Sequence, residues 1–125
     1  MLNFKILSES LEELSDRELQ VQLWLGHNTE NLMSSFEEAV CGVFDDAHLA
    51  RAMETGYLVQ NFDKEICDNV RRLNKLIGFI PQDQPSDVII VHPKMAEVRT
   101  VAGELRESLR TRNKGTGTPK FPRKT

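Results

Sequence analysis

A helical apolar period, opened repeatedly by helix-capping signals, is what most restricts the folds open to this chain. Ser34-Ser35-Phe36-Glu37-Glu38 holds two overlapping capping boxes, Ser34 with Glu37 and Ser35 with Glu38. In such a box a hydroxyl and a carboxylate three residues apart satisfy backbone N–H groups that a helix start leaves orphaned. Phe36, Ala39, Val40, Val43 and Phe44 follow at i, i+3, i+4, i+7 and i+8, the spacing of one helical face.

The same grammar recurs along the chain. Ser15-Asp16-Arg17-Glu18 reads as a capping box before Leu19, Val21, Leu23, Trp24 and Leu25, and Gly26 stands where a helix C-terminal glycine belongs. Ser8 to Leu14, with Leu11 and Leu14, adds a turn or two ahead of it. Residues 27–33 read as a loop. Asp45-Asp46 ends the helix of Phe36 and is expected to cap a short one carrying Ala47, Leu49, Ala50 and Met53, stopped at Gly56. Phe62, Ile66, Val70, Leu73 and Leu76 predict a further helix from about Asn61 to Ile77, with Asp63 as cap and Phe62 stapling one turn inside. Pro81 and Pro85 bracket a loop. His92-Pro93 then opens a last helix with the stripe Met95, Val98, Ala102, Leu105 and Leu109. Gly103 inside it costs about 1 kcal/mol relative to alanine, which close packing against another helix would explain.

Val88-Ile89-Ile90-Val91 fits two descriptions. Its β-branched side chains suit a strand, which Leu2, Phe4 and Ile6 could pair with, giving a two-stranded element of residues 2–7 with 88–91. A single buried turn suits it equally, because a short apolar run has no diagnostic period. The expected fold is mainly α: a compact bundle of about five helices over residues 1–109, with or without that pairing. Residues 110–125 hold glycine, threonine, proline and basic side chains without an apolar period, and are expected to form a basic flexible tail.

A chain of 125 residues, 39% hydrophobic and 28% charged, makes one domain and needs neither disulfide nor structural metal to fold. Cys41 and Cys67 have no CxxC or CxxH companion and fall beside apolar stripes. Both are expected to be reduced, buried thiols, a usage that suits a reducing cytoplasm. No apolar run approaches the roughly 20 residues of a membrane span. The N-terminus turns acidic by Glu9 and lacks the basic start and apolar stretch of a signal peptide. A cytoplasmic protein without membrane association is therefore expected.

The net charge of −3 conceals a division. Residues 1–54 carry eleven acidic side chains against Lys5, Arg17 and Arg51; residues 55–109 are nearly balanced; residues 110–125 carry six basic side chains and no acid. Glu18, Glu37 and Glu38 fall in first turns, where the helix dipole favours carboxylates. That leaves Glu9, Glu12, Glu13, Glu30, Asp45, Asp46 and Glu54 as an acidic surface, which would steer basic partners and repel nucleic acid.

Catalytic signals are weak. Asp45, Asp46 and His48 form the one local cluster of metal-competent side chains, but a metal site needs three or four converging ligands and no further one stands at a recognisable spacing. His27, His48 and His92 each flank a predicted helix end. Ser34 and Ser35 lack the GxSxG elbow, and Gly115-Thr116-Gly117 lacks the strand and helix that a phosphate loop requires. Trp24 and Phe44 lie on apolar faces as core. No catalytic residue, metal site or cofactor is assigned.

In size, acidity and simplicity the body of the chain resembles small bacterial immunity proteins that neutralise toxins, many of them basic nucleases. The resemblance implies a non-enzymatic protein-binding domain whose acidic N-terminal half docks a basic partner through Glu9, Glu12, Glu13, Glu30, Asp45, Asp46 and Glu54. Two other functions are open to this sequence. One is a regulatory subunit that self-associates through the Met95–Leu109 stripe, its basic tail touching nucleic acid. The other is an enzyme with a diffuse site near Asp45, Asp46 and His48.

Overall fold

A computed structural model describes residues 2–115, and every regular element among them is helical. In chain order these are α1 (Phe4–Ser15), α2 (Arg17–Trp24), α3 (Phe36–Cys41) continuing into a π-helical turn (Gly42–Asp46), α4 (Leu49–Glu54), α5 (Tyr57–Asn61), α6 (Lys64–Gly78), α7 (Ser86–Ile90) and α8 (Met95–Gly115). The fold is mainly α, as expected, with a finer division than five helices.

α8 is the axis of the bundle, packed along α1 on one side and α6 on the other. Its stripe of Met95, Val98, Ala102 and Leu105 is wholly buried, together with Val101, and Leu109 nearly so. That burial removes the stripe as a surface for self-association: its apolar face is spent inside the chain. α1 contributes Leu7, Leu11 and Leu14, and α6 contributes Ile66, Val70, Leu73 and Leu76. The α3–π segment lies across α1 and closes the far side with Phe36, Ala39, Val43 and Phe44.

The two-stranded pairing is overturned. Asn3 caps α1, its side chain accepting the Ile6 N–H at 3.1 Å, so residues from Phe4 onward wind as helix and bury Leu7, Leu11 and Leu14, with Phe4 half-buried, by turns rather than alternately. In α7 the adjacent Ile89 and Ile90 are buried while Val88 and Val91 are exposed. A strand cannot turn two neighbours the same way; one helical turn can.

Capping also shifts. Ser15 ends α1, its hydroxyl donating to Glu12 O, and Asp16 caps α2 by accepting the Leu19 N–H at 3.1 Å. Ser35, not Ser34, caps α3, accepting from the Glu38 N–H. Asp45 and Asp46 cap nothing: they lie in the π turn, where the Ala47 N–H reaches back to Gly42 O, and His48 occupies the N-cap position of α4 in a left-handed conformation, φ +68°. Gly56, at φ +82°, divides the expected third helix from α5, and Asp63 caps α6 as expected. Gly26, at φ +73°, ends α2 as its position implied.

α8 runs on to Gly115, because Arg110 to Lys114 contain no helix breaker. Residues 116–125, with Lys120, Arg123 and Lys124, lie outside the described residues.

Candidate functional site

The exposed charge on this fold is segregated by element. Among the described residues every ion pair takes its base from α6, α8 or the turn before α8: Lys64 and Arg71 with Asp68, Arg72 and Lys94 with Glu97, Arg106 with Glu12, and Arg110 with Glu107. The acids of α3, the π turn and α4 have no such partner. Of the seven carboxylates singled out by sequence, only Glu12 approaches a base among the described residues, Arg106, at 3.9 Å.

The α3–π segment arranges part of this unpaired charge in a row. Glu37, Cys41 and Asp45 fall on successive turns, with Asp46 beside them, and the three carboxylates are exposed. Their combined field reaches the half-buried Cys41 thiol. Burial raises its pKa first, and Asp45, Glu37 and Asp46 raise it further by repelling the thiolate, with a hydrogen bond to Asp45 also favouring the neutral thiol.

α1 lies antiparallel against this row. The Asn3 N–H donates to Ala47 O at 3.1 Å, and further along Ser10 packs so closely on Gly42 that a Cβ there would run into the Ser10 hydroxyl. Glu9 and Cys41 are the chain neighbours of the two residues at that crossing. Glu9, exposed and without an ion pair among the described residues, precedes that crossing by one residue on α1, and no contact joins its side chain to Glu37, Asp45 or Asp46.

The other predicted contacts are placed differently. Glu13 turns to the core edge, where its carboxylate accepts the indole N–H of buried Trp24 at 2.7 Å. Trp24 stacks edge-on against Phe36, with centroids 5.9 Å apart. Glu13 thus satisfies a buried donor and holds α1 to α2. Glu30 sits in the loop after α2, which Asn28 ties together through Gln22 O, Leu32 O and the N–H groups of Glu30 and Leu32. Glu54 ends α4, exposed. No contact joins Glu30 or Glu54 to the row. Glu37 and Cys41 were missed as members; their i, i+4 spacing to Asp45 was the available signal, masked by the capping role that the sequence assigned to Glu37 and the structure does not bear out.

His48 is exposed, and its backbone N–H donates to Asp45 O at 3.1 Å. Among the described residues no three His, Cys, Asp or Glu side chains converge as a metal-holding group. His92 Nδ1 accepts the Lys94 N–H, a local turn contact, and His27 is exposed. Trp24 and Phe44 are buried in the core. No described helix is long and apolar enough to cross a membrane. No protein-family model, curated protein or solved structure matches the chain.

Proposed function

We propose that this chain is a non-enzymatic protein-binding domain that docks a basic partner on the acidic row of α1 and the α3–π segment, in the manner of an immunity protein inhibiting a toxin. The observation that carries this is the segregation of paired charge: Glu9, Glu37, Asp45 and Asp46 have no base within ion-pair distance among the described residues, whereas Lys64, Arg71 and Arg72 of α6 and Arg110 of α8 each have a carboxylate there. Uncompensated like charge opposes folding slightly, so an external cation gains what the fold leaves unused. The row also includes a π turn, a distortion frequent at functional sites.

An exposed ion pair contributes only about 0–1 kcal/mol. Several carboxylates on adjoining rigid helices act together mainly by accelerating encounter and fixing orientation. Cytoplasmic residence suits two free thiols, Cys41 and Cys67.

The test is a comparison of the wild-type chain with Glu37→Lys/Asp45→Lys/Asp46→Lys in affinity capture at moderate and high salt. The expected result is one basic protein retained by the wild type at moderate salt, weakened at high salt and absent with the variant. Equal capture by the variant at physiological salt removes the acidic row as the docking site.

A further inference from the structure

A second site, independent of the acidic row, opens between α1 and α8. A cleft of about 200 Å³ lies between Phe4, Leu7 and Leu11 of α1 and Leu109 of α8, with the stems of Arg106 and Arg110 along its rim. The floor is apolar and the edge cationic. An enclosed, wholly apolar cavity of about 150 Å³ accepts a benzene ring, and this more open cleft has room for one aromatic ring or branched aliphatic group over its apolar floor.

The rim specifies the rest of the ligand. Arg106 Nε donates to both Ser8 O and Ser8 Oγ at 3.2 Å, which fixes the guanidinium by one edge. Its Nη2 is 3.9 Å from Glu12 Oε1, and Arg110 Nε is 3.8 Å from Glu107 Oε1. Both separations exceed hydrogen-bonding distance. The Nη edge of Arg106 is therefore held in place with Glu12 at ion-pair distance but no carboxylate hydrogen-bonded to it among the described residues, and a ligand carboxylate that met the fork bidentately would have to compete with Glu12.

We propose that the α1–α8 cleft binds a small apolar carboxylic acid, its ring or branched chain against Leu109 and Phe4 and its carboxylate on Arg106, with Arg110 as second cation. A free acid fits better than a peptide. The walls are helices whose backbone groups are internally bonded, so they offer a peptide main chain nothing to pair with, and the volume holds a single side-chain-sized group.

The test uses the full chain and 3-phenylpropionate as probe, followed by heteronuclear NMR titration and calorimetry. The expected result is saturable binding with a dissociation constant on the order of 1 mM or tighter, with shifts centred on Phe4, Ser8, Leu109 and Arg110. The uncharged 3-phenylpropanol is expected to bind about tenfold more weakly or worse, the magnitude of one lost charge-assisted contact. Arg106→Gln is expected to lose that discrimination, and Arg110→Gln, at an exposed position, to weaken the acid without altering the fold. If Arg106→Gln does not fold, Arg106→Lys, which keeps the charge but loses the fork, is expected to weaken the acid severalfold. No saturable binding, equal affinity for the alcohol, or shifts mapping away from the cleft would overturn the proposal. So would tighter binding of an N-acetylated peptide ending in phenylalanine, which would make the occupant a chain terminus.

Discussion

Arg99 Nε donates to Gln20 Oε1 at 3.0 Å, joining residues 79 positions apart at a side chain with no exposed surface. The Gln20 amide in turn donates to the carbonyls of Glu13 and Leu14, both at 2.9 Å, at the C-terminus of α1. Arg99 adds a 2.6 Å bond to Ile90 O. One glutamine thus satisfies orphan carbonyls of α1 and, through Arg99, ties α2 and the end of α7 to α8. Burial pushes the Arg99 pKa down, as does the neighbouring charge of Arg17.

Gln20→Leu is expected to cost about 3 kcal/mol, because it strands two carbonyls and leaves the Nε of a partly desolvated guanidinium without its acceptor. Adding Arg99→Met should recover part of that loss, since the stranded charge goes with it. Urea denaturation of the two single variants and the double variant measures the coupling.

Two helical glycines should respond with opposite sign. A Cβ on Gly103 would lie 3.6 Å from Ser15 Cβ, an ordinary contact, so Gly103→Ala is expected to stabilise by about 0.5–1 kcal/mol through helix propensity. At Gly42 the new Cβ would meet the Ser10 hydroxyl and lie 3.1 Å from Ser10 Cβ, so Gly42→Ala should destabilise by about 1–3 kcal/mol. Ser10→Gly combined with it should restore most of the difference in thermal melts.

Glu13 and Glu9 lie one turn apart but have different work. Glu13→Ala strands the buried Trp24 N–H and is expected to cost about 1–3 kcal/mol and alter Trp24 fluorescence. Glu9→Lys should leave stability within about 0.5 kcal/mol, as for most exposed substitutions, while weakening the basic partner.

Much of the helical plan was legible from residues alone. Asp63, Gly26 and Gly56 announced their boundaries because each acts within a few residues, through a cap or a left-handed turn. The helix at Phe4 was not, since Leu2, Phe4 and Ile6 alternate locally and only Leu7 packing on α8 reveals the helical period. The split exposure of Ile89-Ile90 and Val88-Val91 depends likewise on neighbours far away in sequence. At the candidate site, the acidity of Asp45 and Asp46 could be read directly. The diversion of Glu13 to Trp24 and the closeness of Ser10 to Gly42 could not, because both depend on how helices cross.

Both thiols report on the fold through pH. Burial and nearby carboxylates raise the Cys41 pKa; at Cys67 burial raises it, with Arg71 opposing and Asp63 and Asp68 adding to it. A folded pKa above the unfolded value means the stabilising contribution is complete below about pH 8.5 and is lost as pH rises through the folded value. The urea midpoint should therefore fall on the alkaline side, and less so in Cys41→Ser. Asp45→Asn should bring the Cys41 pKa down and speed alkylation of that thiol at pH 8, by removing one of the charges that oppose the thiolate.

Docking of a basic protein on the acidic row of Glu37, Asp45 and Asp46, with Glu9 on the neighbouring helix, is proposed from unpaired charge and stands or falls on its dependence on salt and on those carboxylates. The most direct measurement is the dissociation constant for the captured partner as a function of salt, for the wild type and for Glu37→Lys/Asp45→Lys/Asp46→Lys. The predicted result is an affinity that falls about tenfold or more between about 0.05 and about 0.3 M salt, with a variant at least about a hundredfold weaker at the low end. Equal affinity for wild type and variant, unchanged by salt, would contradict it.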